Sequence, residues 1–313
     1  MTIVITMTKL IATMFLGILL NKVGILDDRT SRKISQLIIQ VTNPLLIVAS
    51  VSAAQGEDSG TVVFLLITGV VLYAVTPVLG YALARAFRVP KGQRALYMGA
   101  IVFANTGFMG YPVVQALYGN AAIFYTSILH MPFNFLFFTL QMALMRKSAE
   151  AEGQTDVLET DRNPGRRLRN IFNNGVIASL IALVLFFTGW PLPQVVGDTV
   201  AFIGNTTMPL SMLAIGSSIG AYRLKDILGE KRVYGFTVIR LMICPLVMNL
   251  IMRPFVSDPV ILGIMTITVG MPIASLLAMG AAPYDNQRKT AAVLVAFSTL
   301  CSMISIPVLT MLL

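Results

Sequence analysis

Side chains able to hold a small charged ligand are few in this chain, and most of them interrupt long apolar runs. The stretch FANTGFMGYPV at Phe103–Val113 places Asn105, Thr106, Gly110 and Pro112 where a buried helix would carry Leu and Ala. A second stretch, VGMPIAS at Val269–Ser275, does the same with Gly270, Pro272 and Ser275. Proline removes a backbone donor and collides with the preceding turn, and glycine tolerates unwound backbone, so each stretch is expected to break its helix. A broken helix presents N-terminal N–H groups, which attract anions, and free carbonyls, which attract cations. The plainer reading is that the prolines only kink their helices. A matched pair of breaks flanked by Gly and Asn points to a binding site.

Other polar groups lie in apolar surroundings. Asn43 precedes Pro44, and Asn205, Thr206 and Thr207 precede Pro209; they either line a cavity or hydrogen-bond between helices. His130, the only histidine, reads as a proton carrier or substrate ligand, or as a neutral imidazole bonded to a neighbouring helix. Arg240 either meets an anionic substrate or snorkels to the inner surface, and Lys9 is expected to snorkel outward. The methionines and the FNFLFF run at Phe133–Phe138 are expected to serve packing and lipid contact. No Asp or Glu falls inside a clear apolar span; Asp27, Asp28, Glu57, Asp58, Asp198, Asp258 and Asp285 all lie at ends or in loops. A buried carboxylate is the usual partner of a transported cation, so its lack weakens a sodium-driven reading.

The elements that must position these residues follow from composition. Of 313 residues, 56% are hydrophobic and 12% charged, with a mean hydropathy of +0.79. That charge content is about half of what a soluble domain carries. Apolar runs of about 20 residues, the length needed to cross a bilayer as helix, recur from end to end. The expected fold is therefore an all-α integral membrane protein of ten helices, near 3–21, 31–53, 60–87, 93–118, 121–145, 170–189, 196–221, 233–252, 258–281 and 286–312. The run at Ile11–Leu20 lacks a small-x-small cleavage pattern and is expected to be the first span. Cys244 and Cys301 sit in apolar segments and suggest neither a disulfide framework nor a metal site.

Odd-numbered connections, counted with the helix ends that adjoin them, hold 20 of the 23 basic residues, and even-numbered ones hold one, Arg253. Basic loops mark the cytoplasmic side, so both termini are expected to be extracellular and the connections at 85–94 and 146–170 cytoplasmic. The net charge of +9 is thus an orientation signal that also draws the loops to anionic lipid; nucleic acid is not an expected partner.

The halves repeat. At an offset of 165, Gly24 meets Gly189, Thr42 meets Thr207, Pro44 meets Pro209, Leu45 meets Leu210 and Ala49 meets Ala214. Pro77 with Arg85 parallels Pro245 with Arg253, and Pro112 is expected to parallel Pro272. The organisation expected is a first five-helix repeat over 1–145, a cytoplasmic linker over 146–170 and a second, inverted repeat over 171–313. Inverted repeats with paired broken helices are a transporter signature.

The motifs TNPLLI at Thr42–Ile47, FANTGFMGYPV, TMPLSMLAIG at Thr207–Gly216 and GMPIASL at Gly270–Leu276 resemble those of the auxin efflux carrier family, which includes plant PIN proteins and bacterial malate-type permeases. The resemblance covers nearly the whole chain. It implies a fold of the sodium/proton-antiporter and bile-acid-transporter type, with a dimerising scaffold from helices 1, 2, 6 and 7. Helices 3–5 and 8–10 would form a moving transport domain, crossed at helices 4 and 9, with Asn105 holding a substrate carboxylate.

The function expected is a secondary transporter moving a small organic anion, such as malate or an auxin-like acid, by elevator-type alternating access in the cell membrane. Either a proton or a sodium ion is the candidate coupling partner, and a sodium-coupled symporter or a channel is the alternative. No cofactor is expected. Enzyme chemistry is not expected either: there is no paired-aspartate diphosphate motif, no GxGD and no HExxH, and Asp27–Asp28 stands alone beside Arg29.

Overall fold

The computed structural model describes residues 2–56, 58–151, 171–221 and 231–312. Most of the expected linker at 146–170 lies outside them. Among the described residues the chain is helical, and its one piece of extended pairing is a bridge between Ala104 and Ile273. The helices are α1 (Thr2–Lys22), α2 (Arg29–Ala54), α3 (Ser59–Ala86), α4a (Arg94–Val102), α4b (Tyr111–Tyr118) and α5 (Ala121–Glu150). After the linker come α6 (Asn174–Thr188), α7 (Gln194–Gly220), α8 (Lys231–Met252), α9a (Pro259–Val269), α9b (Ser275–Ala281) and α10 (Asp285–Leu312). Six of them, α2, α3, α5, α7, α8 and α10, are long and apolar enough to cross a membrane; α6 and α9a are shorter apolar helices.

The polar residues at the helix ends are caps. Asp27 accepts from the Thr30 amide at 2.7 Å, Asp58 from the Thr61 amide at 2.9 Å, and Asp258 from the Val260 amide at 2.7 Å. Asn173 takes the amides of Gly175 and Val176. Each satisfies donors that a helix start leaves free. At the other end, Gly24 and Gly189 adopt positive φ, +81° and +65°, and stop α1 and α6; these are the two glycines aligned at the offset of 165.

Three helices widen by one residue per turn immediately before a proline. The Asn43 amide bonds Ile38 O, the Tyr111 amide bonds Thr106 O and the Cys244 amide bonds Ile239 O, each five residues back. In each case the wide turn ends two residues before Pro44, Pro112 or Pro245. A proline cannot donate and its ring presses on the carbonyl four residues earlier, so the wider turn lets that strand of backbone swing clear.

α1 runs along α7, which also packs on α2; α2 lies against α6 as well. The first of these contacts is backbone-close: a Cβ at Gly216 would lie on the Met14 carbonyl, and one at Gly17 on the Leu213 carbonyl. α3 packs on α4a and α5, α8 on α9a, and α10 on α8 and α9b. Buried side chains from Leu46, Phe124, Met212 and Met265 meet in one core cluster, and Tyr97, Phe103, Phe137 and Phe236 in a second. The outer surface carries large apolar groups such as Phe202, Val195 and Leu250, as a helix bundle solvated by lipid requires.

Candidate functional site

The two expected breaks meet. α4a ends at Val102, and Phe103–Ala104 is extended before Asn105 turns into the next helix; α9a ends at Val269, and Pro272–Ala274 is extended. The Asn105 amide donates to Pro272 O at 2.7 Å and the Ala274 amide to Phe103 O at 2.9 Å, so the segments cross as a minimal antiparallel pair. Proline can hold such a position because only its carbonyl is used.

Here the expected equivalence of Pro112 and Pro272 fails. Pro272 lies in the extended crossing itself. Pro112 lies in the first turn of α4b, directly after the wide turn Thr106–Gly110 that accommodates its ring. The first break accordingly starts at Phe103, the upstream end of the stretch expected to break. Gly110 and Gly270 line neither of the two cavities described below; they admit neighbours, with Met271 and Thr106 close to Gly110 and Leu309 and Pro245 close to Gly270.

Arg240 does not snorkel. It is 3% exposed, and its Nη1 donates to Ile101 O at 2.7 Å while its Nε donates to Met271 O at 3.2 Å. Ile101 O lies in the last turn of α4a and Met271 O just past the end of α9a, where unsatisfied carbonyls concentrate partial negative charge. One guanidinium therefore ties both ends together behind the crossing.

Beside the crossing lies a cavity of ≈ 370 Å³ whose lining includes Ala104, Asn105 and Ala274 but not Arg240. Asn105 reaches it, with Nδ2 donating to Ser275 Oγ at 3.3 Å, so the residue that opens the turn into α4b is linked to the first residue of α9b. Gly107 and Phe108 line it, and Asn43 of α2 closes one wall, its Nδ2 donating to Gly107 O at 2.6 Å. Asn43 Oδ1 and Thr106 Oγ1 are buried without a hydrogen-bond partner among the described residues. An unpaired buried polar atom costs about 1–3 kcal/mol, so Asn43 Oδ1 is unused binding capacity at this cavity, while Thr106 borders a second one. Gln36, Gln40, Asn134 and Ser179 add further polar groups, and Tyr111, Phe133 and Phe138 add aromatic faces.

His130 borders this cavity and a second one of ≈ 340 Å³. Its Nδ1 lies 3.1 Å from the Tyr73 hydroxyl of α3, and its ring lies 4.3 Å from that of Phe133. Pro132 explains its position: the Met131 amide turns back to Ile128 O, interrupting α5 at the imidazole.

The structure thus brings Asn105, Thr106, Pro272, Ser275, Asn43, His130 and Arg240 around one crossing. Asn205 stays apart, bonded by Gln115 of α4b at 3.0 Å, and Thr206 bonds its own helix at Ile203 O. Sequence reasoning missed Gln36, Gln40 and Asn134. Gln36 and Gln40 sit four apart on α2, and Asn134 follows His130 by four, so a same-face search for polar pairs would have found them.

The full-length pattern agrees with known proteins. The chain matches the family described as "Membrane transport protein" over residues 2–310. It is 22% identical over 303 residues to a protein of Methanothermobacter thermautotrophicus named "Uncharacterized transporter", an alignment spanning 96% of this chain and 95% of that one. With its apolar helices, the match over nearly the whole length makes this a multi-pass membrane protein belonging to the membrane transport protein family, the auxin efflux carrier family whose motifs it carries.

Proposed function

We propose that this protein is a secondary carrier for a small organic anion, working by alternating access around the crossing of α4 and α9. The observation that carries the reading is the cavity of ≈ 370 Å³ walled by Asn105, Gly107 and Phe108, at the N-terminal side of a broken helix, with no carboxylate lining it among the described residues. An anion there meets amide donors and the positive end of a helix dipole. The paired breaks, the glycine stops of α1 and α6 and the matched Pro44 and Pro209 support ten crossings in two inverted repeats. The packing of α1, α2, α6 and α7 on one another supports a scaffold, with α3–α5 and α8–α10 as the moving part. The basic loops support an orientation with both termini outside the cell, and the scaffold is where a homodimer would pair.

A thermal-shift screen of carboxylates on purified protein, followed by exchange of a labelled hit in proteoliposomes, tests the reading. Saturable exchange supports a carrier; unsaturable conductance means a channel and overturns it. A sodium-coupled symporter is the second reading, favoured by the unpaired oxygens of Asn43 and Thr106. Against it, two carbonyls of the broken ends are already occupied by Arg240, and replacing sodium by potassium at fixed voltage separates the two.

A further inference from the structure

The cavity of ≈ 340 Å³ has a lining separate from that of the proposed anion cavity, except that Ala104 and His130 border both. Its walls are α3 and α8. Its rim consists of Val71, Val75 and Leu79 on α3 and Val247 and Ile251 on α8, all exposed on helices long and apolar enough to cross a membrane. The mouth therefore faces hydrocarbon. Its inner end holds Arg240 beside the Tyr73–His130 pair and Thr68.

Arg240 is the second, independent observation. Its Nε and Nη1 are engaged by carbonyls, but no described residue accepts from Nη2, and among the described residues no carboxylate pairs with the guanidinium. A buried cation with an unused donor, at the closed end of an apolar cleft open to lipid, is complementary to one kind of molecule: an anionic head on an apolar tail.

We propose that this cleft binds an amphiphilic monocarboxylate of the fatty-acid type, entering sideways from the bilayer. The carboxylate meets Arg240 Nη2, and the tail lies between Val75 and Leu79 on one side and Val247 and Ile251 on the other. The volume is at the lower end of ligand-pocket sizes, which suits a tail of medium length. Because lipid and cleft are both apolar, the tail contributes little selectivity. The charge at Arg240 supplies it, through a charge-assisted hydrogen bond in a low-dielectric site.

The test uses the full chain in phosphatidylcholine nanodiscs with a decanoate carrying a photoreactive diazirine near its tail end, and the labelled residues are mapped by mass spectrometry. The expected result is saturable labelling on α3 and α8 around Val75 and Ile251, at least tenfold better displaced by decanoate than by decanol. The paired substitutions Val75→Trp and Ile251→Trp fill the mouth and should cut labelling at least tenfold while leaving the thermal-shift response to short carboxylates intact. Arg240→Gln keeps an amide donor for the crossing and should erase the preference for decanoate over decanol, whereas Arg240→Lys should keep it. Equal displacement by decanol means that only an acyl chain is recognised, and overturns the proposal. So does unsaturable labelling spread over the outer helices. If the Arg240 variants do not fold, the mouth variants decide alone, and unchanged labelling in them is fatal. Failure of short carboxylates to shift the protein would count against the central-cavity reading only.

Discussion

Asn105→Ala isolates the side chain from the backbone at the crossing. The crossing is made by main-chain groups, the Asn105 amide to Pro272 O and the Ala274 amide to Phe103 O, and both survive the substitution. What is lost inside the protein is one neutral bond, Nδ2 to Ser275 Oγ, at a long 3.3 Å. Neutral bonds contribute about 0.5–1.5 kcal/mol, and this one is at the weak end. The vacated space opens onto an existing cavity, so no sealed void is created. The fold should therefore lose no more than about 1.5 kcal/mol, the ceiling for that bond. Binding should suffer more. A hydrogen bond to a charged carboxylate is worth about 1.5–3 kcal/mol, which weakens affinity roughly tenfold to a hundredfold. Asn105→Asp preserves shape but turns two donors into acceptors with a negative charge, and should abolish binding of an anion. Ser275→Ala should cost less than either, because Ser275 acts by orienting the amide. The assay is equilibrium binding of a labelled carboxylate to purified protein, with thermal unfolding of each variant alongside. Affinity within twofold of wild type for both Asn105→Ala and Asn105→Asp would refute the reasoning and shift attention to Asn43, His130 and Arg240.

Other consequences are testable separately. Gly216→Leu should prevent stable packing of α1 on α7, because the obstruction is the Met14 carbonyl, a backbone atom that cannot move aside; overpacking usually costs about 1–3 kcal/mol and here should reach or exceed that range. A monodisperse variant with an unchanged melting temperature would contradict it. Replacing sodium by potassium in proteoliposomes at fixed pH and voltage should change the rate less than twofold, whereas a severalfold drop would assign Asn43 Oδ1 and Thr106 Oγ1 to a cation. Hydrogen bonds from Thr30 hold Asp27 below its ordinary carboxylate value of 3.8, and the Gly60 and Thr61 amides do the same for Asp58. The folded protein thus resists protonation that the unfolded chain accepts, so the stability they add is present above that value and lost as pH falls through the lower folded one. Melting scans below pH 4 should show this loss, flattened in the doubly substituted Asp27→Asn, Asp58→Asn protein.

Local signals made much of this legible in the sequence. The apolar lengths located the helices, and Asp27, Asp58, Asp258, Gly24 and Gly189 fell at ends because capping and left-handed stops act within a few residues. The breaks near Asn105 and Pro272 were legible for the same reason. Their detail was not: whether a proline sits in extended backbone or in the first turn after it depends on the partner strand, and Pro112 and Pro272 look alike without it. Arg240 was ambiguous because its acceptors, Ile101 and Met271, are 139 and 31 residues away. No periodicity along α8 reports that two helix ends converge on one of its residues. The cavity wall from Gln36, Gln40 and Asn134 was hidden by an apolar context that drew the eye to Phe133 and Phe138.

The placement of Arg240 decides which step of a transport cycle feels the membrane potential. Two broken helices bring their negative ends together, and a bundle in hydrocarbon must neutralise them. Here a covalently attached guanidinium does so, where a diffusible cation would have to be bound and released each cycle. If α8 travels with α9 and the anion, as proposed, the loaded moving part carries Arg240 and one carboxylate, and their charges cancel. The empty part carries Arg240 alone. Loaded exchange should then be indifferent to voltage, while the empty return moves one positive charge, worth about 2.3 kcal/mol per 100 mV. A negative interior pulls that empty form inward and so favours net export of a monoanion. Two proteoliposome measurements with the same labelled anion distinguish the steps: counterflow with substrate on both sides should keep its rate when a potassium diffusion potential is imposed, and net efflux should accelerate severalfold. Counterflow that accelerates equally would mean that Arg240 stays behind with the scaffold, and that the anion crosses the field with its charge uncompensated.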